Sequence, residues 1–162
     1  MQLWVITRLL FLMILANGTP VVAKKILGDR FSRPLDNGAR CSDGAPLFGA
    51  SKTIRGILLS VLLTMVSAYF VGLGFKIGAL VGSAAMAGDL FSSFLKRRLR
   101  LTASSRAIGL DQVPESLFPL LACRRALSLS ALDIAVTAGT FFIGEILISR
   151  VLYNFHLRDR PY

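Results

Sequence analysis

The chain has 162 residues, of which 54% are hydrophobic and 17% are charged, whereas soluble domains carry about 25% charged residues. A soluble fold of this length could not bury so much apolar surface, so the composition indicates a membrane protein. The net charge of +10 would suit nucleic acid, but no helix-turn-helix, zinc-finger or RNP motif accompanies it, which excludes nucleic acid as the expected partner.

Apolar segments of about 20 residues predict membrane-spanning helices. Together they predict an all-α, polytopic transmembrane helical bundle of about five spans, forming one domain over residues 1–162. The first span contains a break at Asn17-Gly18-Thr19-Pro20, and Arg124 and Arg125 interrupt the fourth. The predicted spans are residues 3–23, 56–75, 77–95, a fourth that starts near residue 113, and 131–153.

The basic residues predict how the bundle is oriented. Two polar loops, residues 24–55 and 96–112, and the C-terminal tail hold nearly all of the Lys and Arg. Because basic residues gather on the cytoplasmic side of a membrane, the N-terminus is expected outside and the C-terminus inside. The protein is therefore expected in a plasma or inner membrane, with both loops facing the cytoplasm.

The third span combines small residues with an acid. Gly78 and Gly82, then Ala84 and Gly88, are each four residues apart, a spacing that lets helices approach closely. Asp89 follows within the apolar segment, where a charge is costly and is usually functional.

Asp89 shares a helix face with other polar residues. Residues 89, 92, 93 and 96 lie at i, i+3, i+4 and i+7, so Asp89, Ser92, Ser93 and Lys96 form one stripe that ends at the water boundary. The alternative is an interfacial Asp89 paired with Lys96. The run Lys96-Arg97-Arg98 that follows is either a phosphate-binding site or an anchor of topology.

The first loop contains Asp36, Asp43, Lys52 and Arg55, separated by glycines. Glycines let a backbone approach phosphate, and Lys and Arg neutralise it. The alternative is a solvated basic loop. Asp111 closes the second loop and, taken alone, would lie at the N-cap of the fourth helix.

These segments together resemble the CDP-archaeol synthase family, relatives of the phosphatidate cytidylyltransferases. The resemblance covers nearly the whole chain, and its two most specific strings are FGxxKTxRG in the first loop and GDxxxSFxKRR at the end of the third span. The matching residues are Asn17, Pro20, Pro34, Asp36, Gly38, Asp43-Gly44, Phe48-Gly49, Lys52-Thr53, Arg55-Gly56, Gly88-Asp89, Ser92, Phe94, Lys96-Arg97-Arg98, Asp111-Gln112 and, more loosely, Tyr153-Asn154 and Pro161-Tyr162.

The resemblance implies a Mg²⁺-dependent membrane enzyme that converts CTP and a lipid phosphate into a CDP-lipid and pyrophosphate. The attacking phosphate oxygen is already ionised near neutral pH, so catalysis reduces to positioning and charge neutralisation. The expected catalytic residues are Asp89, Lys96 and Asp111. The expected roles of the others are Mg²⁺ ligation by Asp89, Asp111, Asp36 and Asp43, nucleotide binding by Lys52, Thr53, Arg55, Lys96 and Arg97, and lipid-phosphate binding by Arg98.

Two other classes of function remain open at this point. A non-catalytic scaffold would explain the basic cytoplasmic face, and a small transporter would use Asp89 and Glu145 along its pathway. Mg²⁺-dependent protection of the loops by CTP would separate the enzyme from both. The sequence also leaves open whether the lipid is a diacyl or an ether isoprenoid phosphate, which residues recognise cytosine, and whether the chain forms a homodimer.

Overall fold

The computed structural model describes residues 1–101, 107 and 109–154, with only the backbone of residues 149–154. The middle of the second loop, the single histidine, His156, and the C-terminal tail lie outside the described residues. The described chain contains five α-helices and two isolated β-bridges, in agreement with the predicted all-α class. The helices are α1 (Leu3–Leu27), α2 (Ile54–Phe70), α3 (Gly74–Arg98), α4 (Gln112–Cys123) and α5 (Ala131–Asn154).

The break predicted in the first span is wrong, because α1 continues through Pro20 to Leu27. A proline has no N–H to donate to the carbonyl four residues earlier, which here belongs to Ala16. The hydroxyl of Ser60 on α2 donates to this carbonyl oxygen at 2.7 Å. The neighbouring helix thus supplies the hydrogen bond that Pro20 cannot, and the helix is not interrupted.

The small residues of α3 lie where its neighbours come closest, as their spacing predicts. A Cβ atom at Gly78 would lie 2.7 Å from the Cα of Met65 on α2, and one at Gly82 would lie 3.1 Å from the Cα of Val61. A Cβ at Gly88 would lie 2.3 Å from the carbonyl oxygen of Pro114. Glycine therefore brings α3 against α2 along one part of its length and against the start of α4 near Asp89.

The helices alternate in direction and give the bundle two different ends. The loop end comprises the first loop, residues 28–53, with the C-terminal part of α3 and the start of α4. The turn end comprises the N-terminus and the turns after α2 and α4. There, the backbone N–H of Gln2 donates to Asp133 at 3.0 Å, and the side-chain amide of Gln2 donates to the carbonyl of Ser128 at 3.1 Å.

The length and the apolar composition of each helix determine whether it could cross a bilayer. By length and composition, α1, α3 and the part of α5 over Ala131–Ile148 could do so among the described residues. The 17 residues of α2 are about 26 Å long, and the 12 residues of α4 only about 18 Å against a hydrocarbon core of about 30 Å. The order of five helices is confirmed, whereas the number of crossings stays a prediction. The buried core is formed by Leu9, Leu12, Met13, Ala68, Val81, Leu120, Cys123, Leu129 and Phe141.

Candidate active site

The polar stripe of α3 faces the interior of the loop end. Ser92 is fully buried, and Ser93 and Lys96 are 3% and 9% exposed. The Ser92 hydroxyl donates to the backbone carbonyl of Asp89 at 3.0 Å, which satisfies the hydroxyl inside the helix. The stripe predicted from helical spacing therefore exists, and its acid and its amine are left to interact with groups outside α3.

Asp89 pairs with Lys52, which lies 37 residues earlier in the first loop. The Lys52 Nζ atom lies 2.5 Å and 2.6 Å from the two carboxylate oxygens of Asp89. Burial by itself lowers the pKa of Lys52, but the charge and hydrogen bond of Asp89, followed by the charges of Glu115 and Asp111, outweigh burial and raise the pKa above its ordinary value. Lys52 is therefore expected to keep its charge at neutral pH, in contact with Asp89 and under the influence of Glu115 and Asp111.

Lys96 pairs with Asp111 at the junction of the second loop and α4. The Lys96 Nζ atom lies 2.7 Å from Oδ1 of Asp111, and Oδ2 of Asp111 accepts a hydrogen bond from the backbone N–H of Ala107 at 3.3 Å. Asp111 stands at the N-cap position but its side chain does not cap α4. The alternative in which Asp89 pairs with Lys96 is not what the structure shows, since each has a different partner.

Arg98 pairs with Asp43 of the first loop. Its Nη1 atom lies 2.6 Å from Oδ1 of Asp43, and its Nη2 atom donates to the carbonyl oxygen of Pro46 at 2.6 Å. The guanidinium also lies 5.1 Å from the ring centroid of Phe94. Asp43 and Arg98, which were assigned to metal and lipid phosphate, thus neutralise each other and hold the first loop against α3.

Asp36 organises the first loop from within. Its carboxylate accepts hydrogen bonds from the backbone N–H groups of Phe48 and Gly49 at 3.0 Å and of Gly38 at 3.1 Å. Burial alone would raise the pKa of Asp36, but these N–H groups stabilise its charged form and keep the pKa below its ordinary value. Among the described residues, the hydrogen-bond donors to Asp36 all belong to the loop, and none belongs to the α3 stripe.

Two residues assigned to the nucleotide stabilise the chain around α2. Thr53 is the N-cap of α2 and accepts a hydrogen bond from the backbone N–H of Gly56 at 3.2 Å. Arg55 donates from Nη1 and Nη2 to the carbonyl oxygen of Gly28 at 3.1 Å and from Nη1 to that of Arg30. Arg97, by contrast, is buried on α3 beside Lys96, with 8% of its surface exposed. The roles of these three residues toward CTP stay predictions.

The sequence reasoning missed Glu115, which is 6% exposed. Its backbone nitrogen would lie 2.9 Å from a Cβ at Gly88, so it sits directly beside the residue that precedes Asp89. Within the part of the chain that the structure describes, no hydrogen bond or ion pair of the Glu115 side chain is found. A signal was available, because Asp111 and Glu115 are four residues apart at the start of a helix and therefore lie on one face.

The donor chemistry of this end suits a hard cation. Mg²⁺ prefers carboxylate oxygens and is usually held by one or two carboxylates together with substrate phosphates, not by a complete protein cage. Asp89 and Asp111 supply such oxygens, and their charges, together with that of Glu115, act on Lys52. Among the described residues, no group of three or more His, Cys, Asp or Glu is placed so that it could hold a metal ion, and the Mg²⁺ site stays a prediction.

Comparison with known proteins gives a consistent result. Residues 3–162 match the family described as CarS-like: CDP-archaeol synthase. The CDP-archaeol synthase of Pyrococcus furiosus is 35% identical over 147 residues, which cover 85% of this chain and 77% of the relative. That of Sulfurisphaera tokodaii is 30% identical over 155 residues, with coverages of 92% and 90%. A solved intramembrane enzyme for archaeal membrane lipid biosynthesis shares the fold, with a TM-score of 0.70 at 24% identity over 85% of this chain and 90% of that chain.

Proposed function

Because the chain belongs to the CarS-like CDP-archaeol synthase family, and is thus an integral membrane enzyme that uses CTP, we propose that it transfers the cytidylyl group to an ether-linked isoprenoid lipid phosphate. An oxygen of the lipid phosphate forms a bond to the α-phosphorus of CTP. The bond from that phosphorus to the oxygen bridging to the β-phosphorus breaks, and pyrophosphate leaves with the bridging oxygen. The names of the archaeal relatives support the ether lipid over a diacyl lipid.

The observation that carries this proposal is the pairing of Lys52 with Asp89 and of Lys96 with Asp111. Two anions must meet in this reaction, so the site needs cations for the phosphates and carboxylates for a metal ion. In the structure these groups neutralise each other. We expect the lysines to turn to the triphosphate when CTP binds, which frees the carboxylates without leaving any charge unpaired.

Mg²⁺ fits the carboxylates that this exchange would release. Asp89 and Asp111 would hold it, with Glu115 close by, and when bound it would neutralise charge on the triphosphate and on the leaving pyrophosphate. Asp36 and Asp43 are less suited because loop N–H groups and Arg98 already satisfy them. The chain's own contribution is to bind the phosphates through Lys52 and Lys96 and to orient them at the bilayer boundary.

The proposed orientation puts the loop end in the cytoplasm, where CTP is available. Most basic residues of the described chain lie at this end or in the adjoining ends of α1 and α2, whereas the turn end has Arg8, Lys76, Arg124 and Arg125. This asymmetry follows the positive-inside rule. The lipid phosphate would then meet CTP at the headgroup level of the inner leaflet.

The test is a transfer assay with the full-length protein in nanodiscs. CTP labelled at the α-phosphate is incubated with ether isoprenoid phosphate or diacyl phosphate, with Mg²⁺ or with a chelator. We expect label in the ether lipid only when Mg²⁺ is present, and faster than in the diacyl lipid. Absence of transfer to any lipid phosphate would refute the activity, preference for the diacyl lipid would refute the substrate class, and equal transfer in chelator would refute the metal.

A further inference from the structure

The turn after α1 displays an aromatic side chain to its surroundings. Phe31 is 84% exposed and has a φ of +57°, a left-handed conformation that is unusual for a bulky residue. The turn is closed by its own hydrogen bonds, from the N–H of Arg30 to the carbonyl of Leu27 at 3.1 Å and from the N–H and hydroxyl of Ser32 to the carbonyl of Asp29 at 3.2 Å and 2.8 Å. We call residues 28–33 the Phe31 turn.

Arg55 fastens the Phe31 turn to the bundle. Its guanidinium donates to the carbonyl oxygens of Gly28 and Arg30, on both sides of Asp29. A side chain in a strained backbone conformation persists only where its surroundings hold it there. The exposure of Phe31 is therefore built into the fold, and it is not the result of a loose segment.

The Phe31 turn continues the apolar surface of a helix that is long and apolar enough to span a membrane. On α1, Val22 and Ile26 lie four residues apart on one face and are 55% and 75% exposed. Because α1 ends at Leu27, this face leads directly to Phe31. Phenylalanine together with Lys and Arg is typical of segments that bury an apolar side at the boundary between hydrocarbon and headgroups.

Charge surrounds this apolar surface. Lys24, Lys25, Arg30 and Arg33 lie within ten residues of one another and are exposed, and Asp29 is the single acid among them. A basic segment next to a spanning helix is attracted to anionic lipid by about 1 kcal/mol per Lys or Arg near the surface. Apolar and basic groups in this arrangement fit a bilayer surface better than they fit a second protein.

We propose that the Phe31 turn docks on the anionic surface of the inner leaflet, with Phe31 inserted among the headgroups and the basic residues on lipid phosphates. Arg55 lies in the first turn of α2, three residues after Lys52, and connects the Phe31 turn to this helix. Docking would thus hold the first loop at the membrane boundary. The choice of the inner leaflet rests on the orientation given under the proposed function, whereas the docking itself does not rest on the reaction, since it concerns where the loop lies.

The chain has one tryptophan, Trp4, at the turn end, so a fluorescent probe can be moved to the turn. The full-length Trp4→Phe, Phe31→Trp protein is reconstituted in neutral vesicles and in vesicles containing phosphatidylglycerol, and quenching by acrylamide is measured. We expect emission at shorter wavelength and quenching reduced by at least about twofold in the anionic vesicles. Adding Arg30→Gln and Arg33→Gln should reduce the difference between the two lipids, because two of the four basic residues then carry no charge.

A matched control places the tryptophan at Ser42, an exposed position of the same loop. In the Trp4→Phe, Ser42→Trp protein, quenching should be equal in both lipids, and a monodisperse elution profile establishes that each variant is folded. The proposal would be overturned if acrylamide quenched the tryptophan at position 31 fully in both kinds of vesicle. It would also be overturned if the tryptophan were protected from acrylamide to the same extent in both. Protection that grows with the protein-to-lipid ratio would overturn it in favour of a second copy of the chain.

Discussion

Asp89 and Asp133 are carboxylates at opposite ends of the bundle, and they differ in the groups that satisfy them. Asp133 accepts hydrogen bonds from the N–H of Gln2 at 3.0 Å and from the N–H and hydroxyl of Ser130 at 3.1 Å and 2.7 Å. Asp89 is held by the ammonium of Lys52, at 2.5 Å and 2.6 Å. Its partner is a cation on a flexible stem, whereas the partners of Asp133 are neutral, and two of the three lie on Ser130, three residues away.

If the proposed function is correct, this difference separates Asp133, a structural carboxylate, from Asp89, whose partner would move to a ligand. The donors around Asp133 are mostly fixed by the backbone, so they cannot move to a ligand without opening the start of α5. The ammonium of Lys52 can move away on rotation of its side chain, and another cation can then take its place at Asp89. Burial does not distinguish them, because Asp133 is the more buried of the two and is 2% exposed.

The largest effect is expected from Asp89→Asn. It should lower CTP-dependent lipid labelling by about 10² to 10³-fold, the usual cost of losing one group that stabilises charge in a transition state. Because an asparagine is nearly isosteric, membrane insertion and the elution profile should be unchanged. The measurement is labelled lipid per minute in nanodiscs.

Asp29→Asn is the matched control for Asp89→Asn. It removes the same charge from an exposed turn and should leave the transfer rate unchanged. Full turnover by the Asp89→Asn protein would remove Asp89 from the site and would leave no functional difference between it and Asp133.

Lys52→Ala tests whether the partner of Asp89 is a ligand for phosphate. A hydrogen bond to a charged group contributes about 1.5–3 kcal/mol, so the CTP concentration for half-maximal rate should rise by about 10 to 100-fold. Lys76→Ala, at an exposed position of the turn end, should not alter it. An unchanged CTP requirement in Lys52→Ala would assign Lys52 to structure alone.

The pKa of Lys52 also fixes the pH dependence of this defect. Because the pKa is raised in the folded chain, the stabilisation from its charge is fully present below the ordinary lysine value and is lost only as the pH rises through the folded pKa. The ratio of the CTP requirements of Lys52→Ala and the unmodified protein should therefore be constant between about pH 6 and about pH 9. A ratio that collapses within that range would show that Lys52 loses its proton there.

Gly88→Ala tests the close packing of α3 against the start of α4, which places Glu115 beside the residue that precedes Asp89. The new Cβ would lie 2.3 Å from the carbonyl oxygen of Pro114, and backbone cannot move aside as a flexible side chain can. We expect a loss of about 1–3 kcal/mol in stability, seen as a lower melting temperature, together with reduced transfer because Glu115 is displaced. Gly139→Ala is the control, since nothing lies within 4 Å of its Cβ. Equal melting temperatures for the two variants would contradict the observed packing of α3 on α4.

Features that depend only on the spacing of residues within one helix could be predicted from the sequence. The α3 stripe and the small residues at Gly78, Gly82 and Gly88 follow from local periodicity, and the structure confirms both. The partners of Asp89 and Lys96 could not be predicted in this way. Each ion pair joins α3 to another segment, so it depends on the path of a loop whose hydrogen bonds, such as those of Asp36, are set by contacts between distant residues.

Two other features were missed for physical reasons. Pro20 predicts a break when α1 is considered alone. In the bundle, the hydroxyl of Ser60 on α2 donates to the carbonyl of Ala16, which Pro20 leaves without its helical donor. Glu115 is an ordinary first-turn acid in the sequence, and it becomes a buried carboxylate only because Gly88 admits α4 to α3. In both cases the decisive group lies on a neighbouring helix.

Asp133→Asn should have the smallest effect and completes the comparison with Asp89→Asn. An amide retains one acceptor oxygen but loses the other, so either the Gln2 N–H or the Ser130 donors lose their acceptor, at a cost of about 1 kcal/mol. The melting temperature should fall while transfer below that temperature stays unchanged, the reverse of the result expected for Asp89→Asn. Loss of transfer at a temperature where Asp133→Asn is fully folded would mean that the turn end takes part in the reaction. The assignment of one carboxylate to structure and the other to chemistry would then fail.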